Sequence, residues 1–77
     1  MIKVKEVLES TWWSQKVAIY RLKDRPKNDN VTAKWINENV EIKGMNEKIL
    51  NTNPENIINK EVYAMGVVGR TLVIETN

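Results

Sequence analysis

Cysteine, histidine and phenylalanine are absent from this 77-residue chain, and proline (two) and glycine (three) are scarce. Without cysteine there is no disulfide framework and no thiolate metal site, which makes a reducing compartment, the cytoplasm, the expected location. Without histidine the usual structural zinc sets cannot be assembled, and no Asp/Asn ladder of the calcium-loop kind appears, so neither metal nor cofactor is expected. The common nucleophilic triads also need a histidine base. Ser10, Ser14 and Lys16 could be drawn as an unusual dyad, and Glu6/Glu9 or Glu38/Glu41 as paired carboxylates. Residues of these types in polar turns and on solvated faces are ordinary surface residues, and the chain is expected not to be an enzyme.

Long apolar runs are missing too. Met1 to Ser10 carries Lys3, Lys5, Glu6 and Glu9, which interrupts a signal-peptide core. The longest uncharged run, Val62 to Gly69, is far short of the roughly 20 residues of a membrane-spanning helix, so a soluble protein with no membrane partner is expected. A chain of this length has room for one core and a thin margin of stability, which implies one small domain over residues 1–77.

Net charge is only +2, but unevenly spread: residues 1–34 carry +4 and the remainder −2. Ten asparagines among the 77 residues fit an AT-rich codon bias and support no functional reading.

Val4, Val7 and Leu8 recur at helical spacing among charged neighbours, which predicts a short N-terminal helix, although Ile2 and Val4 also alternate as a brief strand would. Lys16 to Leu22 is rich in β-branched and aromatic residues and reads as a strand, with Val17 and Ile19 on one face and Ala18, Tyr20 and Leu22 on the other. Lys23 to Asn30, around Pro26, reads as a polar loop in which nothing is buried. Val31, Ala33 and Trp35 alternate with polar residues, and with Val40 and Ile42 they predict a hairpin closed by Gly44. Met45 to Leu50 suits one helical turn, and Asn53-Pro54 is a helix start with Ile57 and Ile58 turned inward. Glu61–Met65 and Thr71–Glu75 form the clearest hairpin, with Gly66 and Gly69 permitting a turn or bulge rather than clamping a phosphate backbone. The fold class is α+β: a small antiparallel sheet of about four to five strands, with a short N-terminal helix and a short helical turn before the final hairpin.

The most suggestive stretch runs from Trp12 to Lys27. Trp12, Trp13 and Tyr20 lie there among Lys16, Arg21, Lys23, Arg25 and Lys27, so stacking surfaces and phosphate-neutralising cations are interleaved. In a chain without phenylalanine, tryptophans are also the main large core fillers, and the basic residues suit a solvated loop. If residues 12 and 13 are extended, their side chains point to opposite faces and one is exposed, as a protein-binding anchor would be. The edges of an open sheet also allow pairing with a second copy, a possible homodimer. The leading expectation is a non-catalytic protein-binding module using Trp12, Trp13, Tyr20, Arg21, Lys23, Arg25 and Lys27; nucleic-acid binding through the same aromatic and basic stretch is the alternative.

The opening Val4-Lys5-Glu6-Val7-Leu8-Glu9, the central Val17-Ala18-Ile19-Tyr20 and the closing Glu61-Val62-Tyr63-Ala64-Met65 with Leu72-Val73-Ile74-Glu75 span most of the chain. Their layout resembles small phage and prophage proteins of low-GC Gram-positive bacteria. The resemblance implies a non-catalytic accessory protein acting inside a bacterial host, or an assembly adaptor of a phage particle, and brings no catalytic residues with it.

Overall fold

A computed structural model describes residues 2–28, 30–52 and 55–77. Apolar alternation in three segments and a cluster of short amphipathic helices produce an α+β fold on a four-stranded mixed, open sheet. The strands are β1 (Lys16–Arg21), β2 (Ile42–Met45), β3 (Val62–Val68) and β4 (Thr71–Thr76), in the order β2-β1-β4-β3. The helices are α1 (Val4–Glu9), α2 (Ala33–Asn39), α3 (Asn46–Thr52) and α4 (Glu55–Ile58), with a 3-10 turn at Leu22–Asp24.

The sheet is mixed rather than wholly antiparallel. β1 pairs antiparallel with β2 but parallel with β4, from Lys16↔Thr71 to Arg21↔Thr76. The two central strands, β1 and β4, are covered on both sides. Val17, Ile19 and Ile74 face one side and pack with Val4, Leu8, Ile49 and Ile58 from α1, α3 and α4. Ala18, Tyr20 and Val73 face the other and pack with Ile36, Val40 and Trp35. The two-faced reading of β1 holds from Val17 to Tyr20, whereas Leu22, expected on the Tyr20 face, opens the 3-10 turn instead.

The predicted hairpin over residues 31–42 is replaced by a helix and a single strand. The Thr32 hydroxyl caps α2, accepting from the Trp35 N–H at 3.1 Å, and Ile36 and Val40, four residues apart, turn inward together. Lys43, from β2, donates to the carbonyl of Asn37 (2.7 Å) at the end of α2 and shares the Ile36 carbonyl (3.3 Å) with the Val40 N–H. Alternation at Val31, Ala33 and Trp35 coincides with a helical repeat at Trp35, Ile36 and Val40, and the cap decides between them.

Elsewhere the predicted elements appear. α1 is a helix whose entry is closed by Glu6, accepting from the Lys3 N–H at 3.1 Å, and whose Val4 and Leu8 are buried. The helical turn predicted over Met45 to Leu50 is α3, which starts at Asn46 and runs to Thr52, while Met45 ends β2; Ile57 and Ile58 pack on the core. The helix start assigned to Asn53-Pro54 lies outside the described residues. The final hairpin is longer than predicted: Val68 pairs with Thr71, leaving Gly69-Arg70 as a two-residue turn with Gly69 at φ 61°, a left-handed conformation that favours glycine. A register shift between Val62 and Ala64 places the bulge at Tyr63, not at a glycine.

Candidate functional site

β1 is the axis on which the Trp12 to Lys27 stretch is divided. The two tryptophans precede the strand and the basic cluster follows it, so five residue steps of roughly 3.3 Å, about 17 Å, hold the two groups at opposite ends of the sheet. Residues adjacent in sequence are not brought together.

At the first end, the chain leaves α1 and makes a tight turn in which the Gln15 N–H donates to the Trp12 carbonyl at 3.1 Å. This conformation exposes both side chains, Trp12 at 84% and Trp13 at 75%. The expectation that extended backbone would expose only one is overturned by the turn. The loop is anchored from beneath by Asn46, the first residue of α3, which is fully buried. Its amide nitrogen is within hydrogen-bonding distance of three carbonyls, Leu8 (2.8 Å), Thr11 (2.9 Å) and Trp12 (3.2 Å). Main-chain bonds reinforce it: the Asn46 and Glu47 N–H groups donate to Gln15 (2.8 Å) and Trp13 (3.0 Å). The Gln15 side chain donates to the Arg70 carbonyl at 2.7 Å, tying the loop to the β3–β4 turn. The Ser10 and Thr11 hydroxyls donate to the carbonyls of Glu6 (2.9 Å) and Val7 (2.6 Å), closing the end of α1. Together with Met45, the loop lines an open depression of about 650 Å³ whose charged side chains are the carboxylates Glu9 and Glu47.

The other end is organised around Glu75. This carboxylate is buried on β4, where Arg25 reaches it with both Nε (2.8 Å, to Oε2) and Nη2 (to Oε1), and the Tyr20 hydroxyl donates to Oε2 at 2.7 Å. The bidentate Arg25 bond holds the Glu75 carboxyl below the usual carboxylate range, outweighing the upward push of burial. Burial, followed by the bond to Glu75, raises the Tyr20 phenol well above its ordinary value. The Tyr20 ring meets Trp35 edge-on with centroids 5.0 Å apart. The loop expected to bury nothing therefore sends Arg25 inward, because an unpaired carboxylate among apolar residues would be costly.

Of the seven predicted residues, Trp12 and Trp13 form one exposed surface. Tyr20 belongs to the core and Arg25 is committed to Glu75. Arg21, Lys23 and Lys27 are exposed at the far end, with Arg21 3.5 Å from Asp24. Two residues that shape these ends were not singled out: Asn46, for which the sequence carries no local signal, and Glu75, whose signal is a carboxylate inside the apolar run from Leu72. Among the described residues no cluster of three or more His, Cys, Asp or Glu is placed to hold a metal ion, and no helix is long and apolar enough to cross a membrane. No protein-family model matches the chain, and neither a curated protein nor a solved structure is significantly similar to it.

Proposed function

We propose that the chain is a non-catalytic, cytoplasmic protein-binding module whose partner docks on the Trp12–Trp13 loop. One observation carries the reading: two adjacent tryptophans stand almost fully in solvent on a loop held by a buried asparagine. Two rings left out of a core this small forgo a large hydrophobic gain, and burial against a partner recovers it. Because the loop is already fixed, little ordering entropy is lost on association. Glu9 and Glu47 beside the rings favour a partner whose docking segment is apolar with basic neighbours. The same carboxylates oppose a phosphate backbone, and of the basic residues of the nucleic-acid reading only Lys16 stands at the tryptophan end of β1, the other four lying at the far end. The phage-type layout supports a bacterial host protein as the partner, and the cysteine-free sequence supports the cytoplasm.

The test pairs two measurements. Affinity capture with the wild type and with a Trp12→Ala/Trp13→Ala variant should yield a protein retained only by the wild type. That protein, purified, should bind the wild type in titration and lose most of its affinity for the variant. Tryptophan fluorescence titrated with single- and double-stranded oligonucleotides should not change at low or physiological salt. Salt-sensitive quenching would replace this reading with nucleic-acid binding.

A further inference from the structure

The two outer edges of the sheet are guarded very differently. β2 is four residues long and carries Lys43, with Gly44 at φ 147° beside it. Shortness and charge are the usual devices against edge-to-edge pairing. β3 has seven residues, Val62 to Val68, with no charge among them, and presents Met65 and Val67 at 52% and 70% exposure. Among the described residues its edge is met by Ile2 and Lys3: the Ile2 carbonyl accepts from the Val62 N–H at 2.9 Å and Lys3 bridges Glu61, and none of them pairs with the edge beyond Val62.

We propose that the uncovered stretch, Ala64 to Val68, pairs antiparallel with the same stretch of a second copy, joining two four-stranded sheets about a two-fold axis at Gly66. The sheet geometry selects this register. A two-fold axis perpendicular to the sheet keeps every side chain on its own face, so opposed residues differ by an even number and the axis passes through a residue. An axis at Met65 would set Val68 of the second copy against Val62, where Ile2 already sits. Gly66 is the next centre, and it uses the whole uncovered stretch. Met65 then lies opposite Val67 of the second copy, and Ala64 opposite Val68, apolar against apolar.

Charge identifies the occupant as a second copy. Glu61 and Arg70 are both exposed and flank β3 at opposite ends. The strand pairing ends with Val68 opposite Ala64, short of Ile2. An antiparallel copy reverses the flanks, so the Arg70 turn of each chain reaches the end of β3 where Glu61 of the other stands beside Lys3, while the neutral strands meet without repulsion. The inference is independent of the tryptophan loop.

Analytical ultracentrifugation of the full chain tests it. The wild type should move from 9.0 kDa toward twice that mass as concentration rises. Val67→Lys, at a solvent-facing position, should stay at the monomer mass throughout with an unchanged melting temperature, and Trp13→Ala should associate as the wild type does. A charge-reversal pair tests the register without relying on Val67. Arg70→Glu should weaken association, and adding Glu61→Arg should restore it. A wild type that remains monomeric at high micromolar concentration would overturn the proposal. So would undiminished association of Val67→Lys, or association indifferent to the charge reversals.

Discussion

The two ends of β1 differ in what they do with their most conspicuous side chains. One end folds a carboxylate, a guanidinium and a phenol inward, satisfying each with the others. The other spends a buried amide on holding a loop whose two large rings remain outside. Buried polar groups at the first end fix how the core closes; at the second they fix what the surface displays. Proximity in sequence is therefore a poor guide to shared purpose when a strand lies between two groups.

The comparison breaks most severely at Glu75. Glu75→Ala leaves Arg25 and the Tyr20 hydroxyl without their shared acceptor; a cost of about 2–3 kcal/mol is expected, below the roughly 3–5 kcal/mol of a fully buried pair because Arg25 is one-third exposed. The melting temperature should fall by roughly 10–20 °C at this chain length. Trp12 and Trp13 should keep their solvent-exposed emission at temperatures where the variant is still folded.

The pH dependence sharpens the same end. Because the folded-state Glu75 pKa is lowered, the unfolded chain takes up this proton first as pH drops. The stabilisation is complete above the ordinary carboxylate range and is lost as pH falls through the lowered folded value. Tyr20 has the opposite sign: its raised pKa adds stability that is complete below the ordinary tyrosine value and lost only as pH rises through the folded one. Thermal melts across the acid range should show the gap between wild type and Glu75→Gln closing as pH falls. A constant gap would mean that the carboxylate charge is not what stabilises this end.

Asn46→Ala tests the other end. It removes the amide donor that serves three carbonyls, a loss of about 2 kcal/mol. It should also loosen the loop, read as a fall in tryptophan fluorescence anisotropy, which Glu75→Ala should not produce. The smallest effect belongs to the rings themselves: Trp13→Ala should change stability by no more than about 0.5 kcal/mol, since the side chain is three-quarters exposed. A large loss would place Trp13 in the core.

The parts of this fold legible in the sequence are those with a single dominant local signal. β1 holds an unbroken apolar run, Val17 to Tyr20, rich in β-branched and aromatic residues, α1 repeats at helical spacing, and the final hairpin joins two β-branched runs around a glycine turn. α2 was not legible because Val31, Ala33 and Trp35 satisfy the strand period while Trp35, Ile36 and Val40 satisfy the helical one. The exposure of the tryptophans was half legible: an extended pair points to opposite faces and exposes one ring, but the turn that turns both outward depends on Asn46, more than thirty residues away. Tyr20 and Arg25 were drawn into the candidate surface because nothing local shows that Glu75 stands beside them.

The parallel pairing of β1 with β4 has a kinetic consequence. β3 and β4 meet across two residues, and β2 reaches β1 across a few tens, but Tyr20 and Glu75 are 55 positions apart when the sheet closes. Joining the halves therefore closes the longest loop in the sheet, and that entropy is lost before the central contacts return it. The docking of β4 onto β1 should be the slow step of folding. Until it is complete, the apolar face of each half waits uncovered.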